Sequence, residues 1–204
     1  MPALEAKYIV QAVEDAFTES VASAVLVSRI REHPRRFYVT AGEASFPAWV
    51  YIWTLTHGGG TARPADEYRI QLTSVLPPLP ENPDGPTLLL GYEPNTKCFA
   101  GFDLRKHRTF STQSPSIQIN INTLREAVRD GFAFTRKGND EIAISFRPDN
   151  MLSYALSCES FCHTITAWPD RRNKIPEASW SILGLPRLNS TASSPRQARP
   201  ALNP

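Results

Sequence analysis

The sequence predicts an α+β fold: a β-barrel or pseudobarrel of about seven to eight mostly antiparallel strands with two or three flanking helices. Three observations carry this. Short runs rich in β-branched and aromatic residues recur through the middle of the chain, bounded by Pro-, Gly- and Asn-containing breakers. Two pairs of these runs are separated only by the tripeptides Pro94–Thr96 and Gly138–Asp140, a hairpin spacing. Helical periodicity is limited to three segments. With 41% hydrophobic and 10% aromatic residues among 204, the chain can bury one core with appendages.

Taken in order, residues ~4–20 form an amphipathic helix. Tyr8, Ile9, Ala12, Val13, Ala16 and Phe17 recur in pairs four apart, with Glu5, Lys7, Gln11, Glu14 and Asp15 mostly on other faces. Residues 24–30 (AVLVSRI) and 36–40 (RFYVT) are strands split by the breaker EHP. Residues 48–56 (AWVYIWTLT) are apolar at successive positions, as in a strand covered on both faces. Residues 66–74 alternate, with Tyr68, Ile70 and Leu72 on one side and Glu67, Arg69, Gln71 and Thr73 on the other. After a proline-rich loop, TLLLGYE and KCFAGFDL form a hairpin. The polar loop 105–115 leads into SIQINI, with Ile117, Ile119 and Ile121 inward. Residues 122–131 form a short helix with Asn122 as N-cap and Gly131 just past its end. FAFTRK and EIAISF form a second hairpin, and 147–157 a closing helix with Pro148 in its first turn. Three regions follow: the helix 1–20, a β-rich domain 21–157, and an irregular to disordered tail 158–204, rich in Ser and Pro and too poor in large apolar residues to repay its ordering.

Net charge is +2, so no uniform field drives the chain to a polyanion. The basic residues cluster instead: Arg29, Arg31, Arg35 and Arg36; Arg105, Lys106 and Arg108; Arg171, Arg172 and Lys174. Three cysteines, an odd number, argue against a disulfide framework. The acidic, amphipathic start is not a signal peptide and no long apolar run is present, so a reducing cytoplasm is the expected compartment.

Enzymatic motifs are wanting. The run HGGG, residues 57–60, has neither the lysine nor the following helix of a phosphate-binding loop; a strand follows it. Its glycines permit a close backbone approach, with His57 and Arg63 beside them. Cys158, Cys162 and His163 have zinc-ligand spacing but no second half, and Cys98 and Cys158 sit in apolar contexts. Pro83–Asp84, Pro148–Asp149 and Pro169–Asp170 lack the later carboxylate and lysine of a metal-dependent nuclease. The sequence therefore implies no cofactor, no metal and no catalytic centre. The loop 105–115 is dense in donors instead. Arg105, Lys106, His107 and Arg108, then Ser111 and Gln113, suit phosphates and base edges, with Phe110 available to stack.

The segments VYIWTLTHGGGTARPADEYRIQLT, LLLGYEPNTKCFAGFDLRKHR with SPSIQI, and EIAISFRPDNMLSYA resemble a DNA-recognition module of bacterial restriction endonucleases. That module is related in turn to the B3-like pseudobarrel of plant B3 transcription factors. The resemblance covers roughly residues 20–157. It implies two arms clamping the major groove of double-stranded DNA in a restriction or phage-defence setting. The first arm would use Arg31, Arg35 or Arg36, with the His57–Arg63 loop near it. The second would use Arg105, Lys106, His107, Arg108, Ser111 and Gln113; strand alternation by itself puts Arg69 and Gln71 on a polar face that could extend this surface. These segments are expected to converge on one side of the framework. Past Tyr154 no nuclease domain is recognisable, so either cleavage belongs to a partner chain or this is a shortened relative. Three other readings remain open: a PUA/SRA-like reader of a flipped modified base, walled by Trp49, Tyr51, Trp53 and Phe110; a small metal-dependent nuclease; and a protein-interaction domain.

Overall fold

The apolar run Ala48–Thr56 acquires cover on both faces, and the architecture is organised around it. The computed structural model describes residues 3–57, 64–111 and 115–158. Their elements, in chain order, are helix α1 (Ala6–Glu19), strands β1 (Ser23–Leu26), β2 (Arg35–Ala41), β3 (Ala44–Thr54), β4 (Glu67–Gln71), β5 (Thr87–Glu93) and β6 (Cys98–Phe102), helix α2 (Leu104–His107), strand β7 (Ser116–Asn120), helix α3 (Ile121–Asp130), strands β8 (Phe132–Arg136) and β9 (Ile142–Phe146), and helix α4 (Met151–Ser157). A 3-10 turn, Pro148–Asn150, leads into α4.

Seven strands form one sheet in the order β1-β2-β3-β5-β6-β9-β8, and β4 and β7 form a separate ribbon. The fold is α+β, with nine strands in two sheets and four helices among the described residues. The large sheet is not closed into a barrel: β1 and β8 are its two edges. The physical reason lies between β3 and β5. These strands pair in parallel, Trp49 opposite Thr87 through Thr54 opposite Tyr92, so the chain must travel back between them. That excursion builds β4, which pairs with β7 and covers a face of the sheet rather than closing it.

Two cores result. On one face, Ile9, Val13 and Phe17 of α1 and Met151 and Tyr154 of α4 pack on Phe37, Val50, Ile52, Leu88, Phe99 and Phe146. On the other, Ile70, Leu72, Ile117 and Ile119 of the ribbon and Leu124 and Ala127 of α3 pack on Tyr51, Trp53, Leu89 and Phe102. Alternate β3 residues thus enter different cores. Each fully buried large side chain contributes about 1.5–3 kcal/mol.

Local detail departs from expectation at three places. The buried stripe of α1 is Ile9, Val10, Val13, Ala16 and Phe17, while Tyr8 is 53% exposed. The stripe is rotated because it follows the groove between the sheet and α4. The first strand stops at Leu26, and Val27 to Pro34 form a loop. Helix α3 starts earlier than its apolar pattern indicates: its N-cap is Asn120, whose side chain accepts from the Asn122 amide at 2.8 Å, because β7 feeds directly into the helix. Gly131 ends that helix with φ of 84°, a conformation glycine adopts without strain. The tail from residue 159 lies outside the described residues.

Candidate nucleic-acid interface

Alternation sorts the ribbon into two faces. Ile70, Leu72, Ile117 and Ile119 turn to the core, which leaves Arg69, Gln71 and Gln118 on the outer face. Arg69 pairs with Gln118 across the ribbon, and Gln71 with Ser116. On its other side Arg69 exchanges backbone hydrogen bonds with Thr56, at 2.9 and 3.0 Å. Thr56, Arg69 and Gln118 therefore form one row. The Arg69 Nε has no hydrogen-bond partner among the described residues although it is buried. Gln118, at an exposed position, is a residue the sequence reading had not singled out; its alternation with Ile117 and Ile119 was the available signal.

His57 is half-buried. Its Nε2 lies 3.1 Å from the Pro64 carbonyl and its ring meets Tyr68 edge-on at 6.0 Å, so it fastens the base of the glycine loop. Arg63 lies outside the described residues, as does Gln113.

The second arm begins at α2. Asp103 caps it, accepting from the Arg105 amide at 3.0 Å and from Arg105 Nε at 3.1 Å. Lys106 Nζ donates to the Asn139 carbonyl at 2.6 Å, and Arg108 Nη1 to Glu81 Oε1 at 2.7 Å. These three cations are exposed, as is Ser111. The Arg108–Glu81 pair is solvent-exposed and holds weakly, whereas Arg105 is held by the buried carboxylate of Asp103. His107 differs. Its Nε2 lies 2.8 Å from Glu141 Oε2, and Glu141 is 0% exposed. The same carboxylate holds Lys137 Nζ at 3.1 Å and accepts from the Asp103 amide at 2.9 Å. Burial would raise the Glu141 pKa, but the His107 hydrogen bond, the His107 and Lys137 charges and the Asp103 amide outweigh it and bring it to about 2. His107 is thus a clasp between α2 and β9, not an outward donor.

The first arm is divided. Arg35 is a correction to the expected surface set: it is 4% exposed, its Nε donates to the Ile30 carbonyl at 3.0 Å and its Nη1 to the Ile52 carbonyl at 3.2 Å. The alternation of β2 sends it inward beside Phe37 and Val39. Burial lowers its pKa to about 10, so it stays charged at neutral pH. Arg36 is exposed and paired with Glu32 at 2.6 Å, and Arg31 is exposed.

Topology decides which segments meet. β2 begins at the end of the sheet where β3 finishes, whereas β6 finishes at the end where β5 begins. Segments 31–36 and 105–108 therefore run off the sheet in opposite directions. Thr56 and His57 adjoin Arg69 and Tyr68, while the second arm runs to Pro115, whose carbonyl accepts from Leu72.

Cys98 is buried, and burial pushes its thiol up to about 11, which leaves it unreactive at neutral pH. Cys162 and His163 lie outside the described residues. Among the described residues no three His, Cys, Asp or Glu side chains group as a metal site, and no helix is long and apolar enough to cross a membrane.

A family model described as methylase-associated X1 matches residues 46–155, just over half of the chain. No curated protein and no solved structure matches it. The matched span contains most of β3, the ribbon, the second arm and both hairpins, but not residues 31–36.

Proposed function

The chain belongs to the methylase-associated X1 family, and from that premise we propose that it is a double-stranded DNA-recognition module of a restriction-modification or phage-defence system. It grips the duplex without chemistry of its own, and any cleavage falls to a nuclease in a partner chain. The observation that carries this reading is the outer face of the ribbon. A two-stranded β-ribbon fits the major groove of B-DNA, and Arg and Gln are the side chains that pair bidentately with guanine and adenine. Arg69 and Gln118 share one rung there and Gln71 stands two rungs on, and among the described residues the two glutamine side chains have no hydrogen-bond partner.

Arg105, Lys106 and Arg108, all exposed, take the phosphate backbone beside the ribbon. Arg31 and Arg36 reach backbone farther along. The reading ribbon is carried by an open sheet, in place of the closed pseudobarrel that the B3-like resemblance implies.

The test is selection of bound duplexes from a random pool, followed by mobility shift across salt concentrations. Binding should weaken linearly in log K against log salt, and Lys106→Ala or Arg108→Ala should each lower the slope by about 0.9. Gln118→Ala should relax preference at one base pair, by ~1–3 kcal/mol. A wild-type slope of zero would sink the reading. Repeating the assay on methylated duplexes decides whether sequence or modification is read.

A further inference from the structure

A recess of about 320 Å³ opens where the start of β2 meets the end of β3. That volume is at the lower end of the ~300–1,000 Å³ typical of small-molecule sites. Arg35 lines it, although the residue is only 4% exposed. The Arg35 Nε and Nη1 are taken by the Ile30 and Ile52 carbonyls, and Nη1 also lies 3.2 Å from His33 Nε2. Nη2 makes no hydrogen bond among the described residues, and no carboxylate there pairs with the guanidinium. Among the described residues the buried side-chain atoms without a partner are Arg69 Nε and Ser145 Oγ alone, so Arg35 Nη2 keeps contact with solvent.

The charge is therefore uncompensated. Taking a charge out of water without one of opposite sign beside it is costly. The neighbours are neutral: two carbonyls and the His33 imidazole, which burial and the Arg35 charge hold down to about 3. The rest of the polar lining offers donors. Thr54 Oγ1 accepts from the Leu4 amide at 2.9 Å, which leaves its own O–H free to donate. Thr56 and Gln71 are half-buried and Thr73 is exposed, and their side chains have no hydrogen-bond partner among the described residues. No carboxylate lines the recess.

A guanidinium, hydroxyls and an amide without a carboxylate select an anion. With Nε and Nη1 occupied, Arg35 cannot grip a carboxylate by two parallel bonds. The donors come instead from the ends of three strands, β2, β3 and β4, and a phosphate group presents several acceptor oxygens to meet them. We propose that this recess binds a phosphate group, with Arg35 as its counter-charge and Thr54, Thr56 and Thr73 donating to its oxygens. The site stands on these groups alone and goes beyond the DNA-recognition reading. Inorganic phosphate and the terminal phosphate of a nucleic-acid strand share the chemistry it selects.

The experiment follows thermal unfolding as inorganic phosphate replaces chloride at constant ionic strength. The wild-type melting temperature should rise by about 5–10 °C once phosphate reaches about a hundred times its dissociation constant. Arg35→Met should lose most of that rise, and so should the double variant Thr56→Val, Thr73→Val. The double variant decides alone should Arg35→Met fail to fold. Phosphate stabilises folded proteins generally by exclusion from their surface, so the difference between wild type and variant is what reads the site. No rise in the wild type, or an equal rise in either folded variant, overturns the proposal. Once the rise is established, a duplex bearing 5′-phosphates is compared with the same duplex ending in 5′-hydroxyls. Tighter binding of the first, lost in the double variant, assigns the site to a strand end. Equal binding assigns it to free phosphate, as does binding of neither, which additionally overturns the DNA-recognition reading.

Discussion

Glu141 shows how one residue governs an arm it does not belong to. Its buried carboxylate receives the side chain of His107 and the backbone amide of Asp103, at the two ends of α2. Replacing it by Gln leaves Lys137 without a counter-charge and weakens the His107 contact, and breaking a buried pair by removing one partner costs about 3–5 kcal/mol. A fall in the urea midpoint of Glu141→Gln checks this; an unchanged midpoint would show that the cluster contributes nothing. Its acid response has a definite sign. Folding lowers the Glu141 pKa from the ordinary 4.5 to about 2, so the native state binds fewer protons than the unfolded chain between those values. The stabilisation, about 3 kcal/mol, is full above pH 4.5 and is lost as pH falls toward 2. The Gln variant should lack that part of the acid transition. None of this was legible in the sequence. Glu141 and His107 are distant along the chain, and only the pairing of β6 with β9 brings them together. Arg35 misled for a related reason: a cluster of four arginines looks uniform until strand alternation assigns one of them to the interior.

At the scale of elements, the hairpins were legible because their turns are local. β5 pairs with β6, and β8 with β9, across the tripeptides seen in the sequence. The phase of α1 and the start of α3 were not, because a neighbouring α4 and the end of β7 set them. Some constraints reside in a single missing side chain. Gly101 on β6 faces Tyr154 of α4, and a methyl group at residue 101 would overlap the phenol ring. Tyr154 cannot yield easily: it is 1% exposed and stacked on Phe146 with centroids 4.4 Å apart. Gly101→Ala should cost about 1–3 kcal/mol and lower the melting temperature, with Tyr154→Phe relieving only part of the loss because the ring remains. A Gly101→Ala protein as stable as wild type would mean that α4 slides freely on the sheet.

Across the whole molecule, segments 31–36 and 105–108 run off the sheet in opposite directions, and Arg36 and Arg108 share no partner: one pairs with Glu32, the other with Glu81. Their contributions to duplex binding should add, the double Ala variant matching the sum of the single ones within about 0.5 kcal/mol. A larger coupling in a mobility-shift cycle would mean that both contact the same phosphates. The α+β class was readable from strand and helix periods, whereas the open sheet was not, because local pattern does not record whether strands pair in parallel. That parallel junction between β3 and β5 has one more consequence. Within the stretch from Leu55 to Pro86 that this junction loops out, Leu55, Ile70, Leu72 and Leu79 are fixed by the second core, while the outward positions, Arg69 and Gln71 among them, can vary without disturbing the ladder. New specificities would arise by rewriting those outward positions alone.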